Sequence, residues 1–349
     1  MRIAYLLPAD FAIGNPGNGI TAQARAQAAA MARRGHEVIY LNPWEIQLEE
    51  QIDVLHFFLG GMAHYGIETG RRLPPTGLIV MSPIIDTNKA HGLYRLAVRV
   101  GSLLHRVHSV PAILAAQARG SDVVICRSQC ERQRVIRSLG VSPACAAIVL
   151  NGIDSPDPSP QAMSEVKQRY ELPDRFVLHL SGYTDPRKNV LRLVAAAEQL
   201  GLPLVVAGHA MPGPIANSLQ ASAKRNERLR LLGFVDRRTR DALYGLCHIF
   251  CLPSYHEGTG LAALEAGAAG AHVVITRMGG TRDYFKDLAF YVLPTDVSEI
   301  RQALARAWDA PRGKALQSHI RTSLSWDASA SALERAYELA RSRKGTAIA

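Results

Sequence analysis

Residues 253–285 read PSYHEGTGLAALEAGAAGAHVVITRMGGTRDYF. The apolar run just before them, residues 249–252, fits a short buried strand. A turn follows, holding Glu257, Gly258, Thr259 and Gly260, and a helix begins near Leu261. HVVIT at 272–276 then reads as the next strand. Strand, crossover and strand is the repeating unit of a parallel sheet, because parallel neighbours cannot be joined by a tight hairpin. The turn glycines let a backbone approach a ligand closely. A helix start offers unpaired N–H groups and partial positive charge, a natural seat for phosphate. Glu257 and Glu265 flank that start, eight positions apart. A carboxylate there can accept two hydroxyl hydrogen bonds of the kind a sugar or ribose diol presents. The plainer alternative is that Glu257 caps the helix and Glu265 is merely exposed.

The same alternation extends in both directions. In the first half, strand-like runs fall at 2–7, 37–41, 53–58, 78–81, 122–126 and 147–150, with helical patterns at 21–34, 93–119 and 129–139. In the second half, strands are expected at 176–180, 204–207, 229–232, 249–252, 272–276 and 290–293. Helices are expected there at 189–200, 237–246, 261–268 and 298–307, with a last helical pattern at 327–343. The strands are apolar on both faces, as in a sheet covered on both sides. Between the halves, residues 155–160 read SPDPSP, which suits a linker. The expectation is therefore α/β, with two Rossmann-like doubly wound parallel-sheet domains facing a cleft. They would cover 1–157 and 158–326, with the helix at 327–343 packing back on the first. Ligands of such sheets bind beyond the carboxyl ends of the strands.

Two further segments carry chemistry. SGYTDPRKN at 181–189 follows a strand directly and sets Arg187 and Lys188 beside a helix start. Two cations there suit a diphosphate, Arg as a bidentate fork and Lys as a point charge; two solvated surface cations are the alternative. NPGNGIT at 15–21 places Gly17 and Gly19 between the first strand and first helix, where phosphate-binding turns often lie. It is neither GxGxxG nor a Walker loop, so a dehydrogenase is disfavoured and an ordinary loop remains open.

Composition narrows the partners. The chain has 349 residues and a formal net charge of +10. Its length suits two domains at roughly 100–200 residues each. Between Lys89 and Arg137 nine basic residues are opposed only by Asp122 and Glu131. Aromatic residues are not interleaved with these bases, and zinc-finger and RNA-binding signatures are missing, which argues against nucleic acid. An anionic small substrate or membrane surface remains. Arg95, Arg99 and Arg106 recur at near-helical spacing among Leu96, Val100, Leu103 and Leu104, a pattern suited to an anionic lipid or a pyrophosphate-linked acceptor; a solvated basic face over core leucines is the alternative. The five cysteines have no zinc-site spacing and read as reduced thiols of a cytoplasmic protein. The N-terminus reads as a first strand rather than a signal peptide, and no run of 18 apolar residues occurs.

Taken together these segments resemble the retaining glycosyltransferases of family four, the glycosyl transferases group one, which have the GT-B architecture. The family block EGFGLPxLEAMAxGxPVVxSxxGGxxE matches EGTGLAALEAGAAGAHVVITRMGGTRD here. RKN at 187–189, GFV at 233–235, SDVVICRS at 121–128, LNGID at 150–154 and SWD at 325–327 match further segments in order, over nearly the whole chain.

The resemblance implies a nucleotide-diphosphate sugar donor held mainly by the second domain and a saccharide or lipid-linked saccharide acceptor entering along the first. Glu265 would bind the ribose and Glu257 the donor sugar. Arg187 and Lys188 would pair with the diphosphate, helped by the backbone of Gly258, Thr259, Gly260 and Leu261. Gly17 or Gly19 would approach the phosphates, and Phe234 and Val235 would lie near the base. No metal or other cofactor is implied, since the cations supply the charge and the sequence has no DxD-like motif. The implied setting is cell-surface polysaccharide synthesis at the cytoplasmic membrane face. Thr259 replaces the family's phenylalanine and alters the expected pocket wall. The family's His-Asp pair is missing, because the segment after the fourth strand reads MSPIID; Asp86, with His56 or His91, is the acceptor-side candidate. A non-catalytic nucleotide-sugar-binding protein and a sugar-nucleotide epimerase of the same architecture are the alternatives.

Overall fold

A computed structural model describes residues 1–7, 19–41, 52–58, 73, 77–103, 109–311 and 314–348. The chain divides into two compact units, one of Met1–Gly152 with Ser325–Ala349, the other of Ile153–Leu324. The SPDPSP stretch lies inside the second unit. Only its early prolines are irregular: Ser159 caps a helix, its hydroxyl accepting from Ala162 N, and Pro160 is that helix's first residue. Proline is well placed there, because its missing N–H would have had no intrahelical partner.

In the first unit a parallel sheet runs in the order β2-β1-β3-β4-β5-β6. The strands are β1 (Arg2–Leu6), β2 (Glu37–Tyr40), β3 (Val54–Phe58), β4 (Leu78–Ser82), β5 (Val123–Cys126) and β6 (Ala146–Ile148). Helices α1 (Gly19–Arg33), α2 (His91–Leu103), α3 (Val110–Arg119) and α4 (Gln129–Arg134) accompany it, the last continuing as a π-helical turn over Val135–Leu139. β3 is buried along its full length, as a central strand covered on both faces must be. Within the helical pattern expected over 93–119, the described helices are His91–Leu103 and Val110–Arg119; residues 104–108 lie outside the described residues.

The C-terminal helix Trp326–Ile348 belongs to this unit. Leu333, Tyr337 and Ala340 join the core that also holds Ile3, Phe58 and Val80. Ion pairs Arg33–Asp327, Arg34–Glu334 and Lys344–Asp122 fasten it along its length. At Gly152 a Cβ would sit 2.3 Å from Trp326 N, so the two chain segments touch backbone to backbone. His56 is fully buried here, with Nδ1 2.7 Å from Tyr337 Oη and Nε2 2.8 Å from Ser82 Oγ. It ties β3, β4 and the C-terminal helix together, which corrects its candidacy as an acceptor-side group: no ring atom reaches solvent.

The second unit contains β7 (Val177–Leu180), β8 (Leu204–Ala207), β9 (Leu229–Gly233), β10 (Ile249–Leu252), β11 (His272–Thr276) and β12 (Phe290–Val292). Their order is β12-β11-β10-β7-β8-β9, all parallel. β7 and β10 are therefore neighbours although three strands apart in sequence. The connections run outward on opposite sides of this pair, which makes it the switch point where such sheets bind ligands. The loops leaving β7 and β10 are 181–189 and 253–260, the two segments singled out above.

Candidate functional site

The loop after β7 is shaped by its own side chains. The Asp185 carboxylate accepts from Arg187 N at 2.8 Å and starts a short 3-10 turn, Pro186–Lys188. Asn189 then takes a left-handed conformation, φ 58°, a state asparagine tolerates better than most residues. Its buried amide donates to Pro253 O at 2.9 Å and Pro294 O at 2.7 Å. Tyr255 N donates to Arg187 O at 2.9 Å. The β7 and β10 loops are thus bonded to each other.

These constraints turn both cations onto one carboxylate. Lys188 Nζ lies 2.7 Å from Glu257 Oε1, and Arg187 Nη1 lies 3.7 Å from the same oxygen while donating to His256 O at 3.0 Å. Glu257 is only 7% exposed. It is fixed by a parallel bridge to Gly279, with Glu257 N donating to Met278 O and Gly280 N to Glu257 O. Gly260, φ 77°, then opens the eight-residue helix Leu261–Ala268, whose first N–H groups lack intrahelical acceptors. Two cations, a held carboxylate and a helix start thus share one edge of one sheet.

The remaining expected residues fall into distinct places. Glu265 is one turn into that helix and partly buried, and its electrostatic neighbours are Arg240, Tyr244, Asp241 and Arg237 rather than the Arg187–Lys188 pair. Burial raises its carboxyl above the usual range, while Arg240 and Tyr244 oppose the rise. Gly258 and Thr259 are buried and Leu261 is partly exposed. The Thr259 side chain is 4% exposed and its hydroxyl lies 3.3 Å from Tyr284 Oη. Phe234, 80% exposed, and Val235 follow β9 on the same carboxyl edge, two strands from β7. Between them a cavity of about 400 Å³ is lined by Tyr183, Leu219, Gln220, Leu231 and Gly233.

In the first unit, Gly19 is the exposed first residue of α1, with open space where a Cβ would go. Gly17 lies outside the described residues. Asp86 follows β4 and accepts from Arg127 Nη2 at 3.0 Å. Arg127 is in turn gripped by buried Glu131, which also accepts from Ile85 N at 2.6 Å. His91 Nδ1 lies 3.1 Å from Ser138 Oγ, and burial with Arg134 and Arg137 lowers its pKa.

His179 escaped the sequence reading. It is fully buried at the end of β7, with Nδ1 donating to Cys251 O on β10 at 2.8 Å and Nε2 2.8 Å from Ser181 Oγ. It thereby pins the two switch-point strands beneath the cations, and it senses the charges of both Lys188 and Glu257. Burial pushes its pKa down to about 4, and that of His56 to about 3. In the unfolded chain both would protonate near 6.5, so acid favours unfolding throughout the window between these values. The expected loss is on the order of 3 kcal/mol from His179 alone by pH 4. Glu265, with its raised carboxyl pKa, acts in the opposite sense at the acid end. Scanning calorimetry should show the melting temperature falling as pH drops from 6.5 to 4, and a flat profile would contradict the buried neutral state.

Comparison with known proteins fits this geometry. Residues 163–321 match the family described as glycosyl transferases group 1. The second unit is a group 1 glycosyltransferase domain. The chain is 29% identical over 207 residues to the serotype-specific mannosyltransferase WbdA of Escherichia coli, covering 55% of this chain and 25% of that protein. The chain thus spans about a quarter of the length of the first curated relatives it matches. Among solved structures, a sucrose-phosphate synthase from Thermosynechococcus elongatus superposes with a TM-score of 0.73 at 18% identity, covering 100% of both chains. The catalytic domain of starch synthase IV from Arabidopsis thaliana, bound to ADP and acarbose, gives 0.76 at 15% identity, covering 98% of this chain and 100% of that one. The fold of this glycosyltransferase domain and of the unit preceding it is of the GT-B class.

Proposed function

We propose that the chain moves a sugar from a nucleotide-diphosphate donor to a saccharide or lipid-linked saccharide acceptor, with retention of anomeric configuration, in cell-surface polysaccharide synthesis. The observation that carries this reading is the convergence of Lys188 and Arg187 on Glu257 at the β7–β10 switch point, next to a helix start. Breaking the bond between the anomeric carbon and the phosphate oxygen leaves an oxocarbenium-like sugar and sends the electron pair to the diphosphate. Arg187, Lys188 and the N–H groups around Gly260 and Leu261 stabilise that growing charge more than the ground state, which is what lowers a barrier. The acceptor hydroxyl adds to the anomeric carbon and gives up its proton, and the departing phosphate is the base within reach. Glu257 orients the donor sugar and Glu265 the ribose. In this reading the cations carry the charge without a metal ion.

The named mannosyltransferase relatives support the transfer and the polysaccharide setting. The acceptor is reached at the cytoplasmic face of a membrane, and Asp86, held by Arg127, is the acceptor-side group. The test is a panel of nucleotide-sugars scored by thermal stabilisation and then by nucleoside-diphosphate release with acceptor, with and without chelator. One donor is expected to raise the melting temperature, as a native-state ligand must, and to turn over unchanged in chelator. Stabilisation without turnover would point to a binding protein instead. Isomerised sugar formed without acceptor would point to an epimerase.

A further inference from the structure

Helix α2 faces the wrong way for an ordinary surface helix. Among its residues Val98 is buried, whereas Leu93 is 59% exposed, Leu96 56%, Val100 47% and Leu103 77%. At 3.6 residues per turn those four side chains fall within an arc of about 80°, on the side opposite Val98. A core-facing stripe would have Val98 at its centre, so this apolar stripe is a second, outward one. Single exposed leucines need no explanation, but a contiguous exposed row marks an interaction surface.

The charge beside the row says what it meets. Arg95 and Arg99 occupy one shoulder of the helix and, with Arg119, Ser102 and Leu103, line a groove of about 550 Å³. Arg119 is held in place by donating from Nε to Leu139 O at 2.7 Å. Residues 87–121 contain no Asp or Glu. A second copy of the chain docked on this stripe by two-fold symmetry would bring Arg95 and Arg99 against their own counterparts with no carboxylate from the helix to offset them. A surface that is apolar below and anionic above satisfies both features, and that is the interface of a bilayer rich in acidic lipid.

We propose that α2 lies in the plane of an anionic membrane, with Leu93, Leu96, Val100 and Leu103 among the acyl chains and lipid phosphates in the groove of Arg95, Arg99 and Arg119. This deepens the membrane setting given under the proposed function, but it rests on the first unit alone and does not need the donor chemistry to hold.

The test is co-sedimentation of the full chain with vesicles of equal phosphatidylcholine and phosphatidylglycerol, against vesicles of phosphatidylcholine only. The wild type should pellet with the first and stay largely in solution with the second. Leu96→Glu with Leu103→Glu, and separately Arg95→Gln with Arg99→Gln, should each lower the partition coefficient about tenfold or more. All four side chains point outward, so melting temperature and donor-induced stabilisation should stay at wild-type values in both pairs. Equal partition of the wild type and both double variants would overturn the assignment. So would a lipid-independent dimer, seen by sedimentation velocity, that the leucine pair abolishes.

Discussion

Lys188→Ala is expected to lower sugar transfer about 100–1000-fold, the usual consequence of removing one preorganised donor to developing charge. The structure gives that effect two sources. The ammonium sits 2.7 Å from Glu257 at the mouth of the β7 and β10 loops. Its loss also leaves Glu257, which is nearly buried, with Arg187 at 3.7 Å as its remaining ion-pair partner among the described residues. A carboxylate deprived of its close partner costs about 1–3 kcal/mol, so the variant should melt somewhat lower yet still cooperatively. Lys188→Arg should recover part of the binding, because the charge returns, but not the full rate, because the planar fork cannot occupy the same position. Steady-state kinetics with the donor found in the panel will separate these effects. A Lys188→Ala enzyme with near-wild-type turnover would remove Lys188 from the mechanism.

Gly279→Ala should damage the same site through the backbone. Gly279 has φ 107°, and a Cβ there would stand 2.1 Å from the carbonyl oxygen of Glu257 and 3.1 Å from the His256 ring. Neither neighbour is the far end of a flexible chain. The Glu257–Gly279 bridge must therefore open, and with it the hydrogen bonds from Glu257 N and Gly280 N. Backbone strain in this region costs about 1–3 kcal/mol before the clash is added. A total near 3 kcal/mol lowers the melting temperature of a unit this size by about 6–12 °C. Hydrogen exchange should show lost protection at Glu257 and Gly280, and donor affinity should fall with it. Unchanged protection at both amides would mean that the bridge does not position Glu257.

The strands were legible because each is a short apolar run between turn residues, and burial on both faces leaves no other arrangement for such runs. Residues 204–207, 249–252 and 272–276 coincide with β8, β10 and β11. Helices that begin with proline were harder. Pro160–Arg169 and Pro214–Arg225 are polar over much of their length, and the proline that starts each reads as a breaker until its cap is recognised. The motif residues of the 181–189 and 253–261 segments were legible because sequence order alone puts them after β7 and β10. Which side chain meets which was not. Thr259 turning in to Tyr284 and Glu265 lying among Arg240 and Tyr244 both depend on how the helices of the second unit pack, which no spacing encodes. Asn189 was within the quoted RKN triplet, but its left-handed backbone and its two carbonyl acceptors appear only in three dimensions. His179 carried no signal at all, being one more residue in a strand.

The most direct measurement is a crystal structure of the chain soaked with the nucleoside diphosphate of the stabilising donor. The diphosphate should lie within hydrogen-bond distance of Lys188 and Arg187 and against the first turn of the helix Leu261–Ala268, with the ribose hydroxyls at Glu265. A diphosphate bound elsewhere, with the Lys188–Glu257 pair undisturbed, would contradict the account.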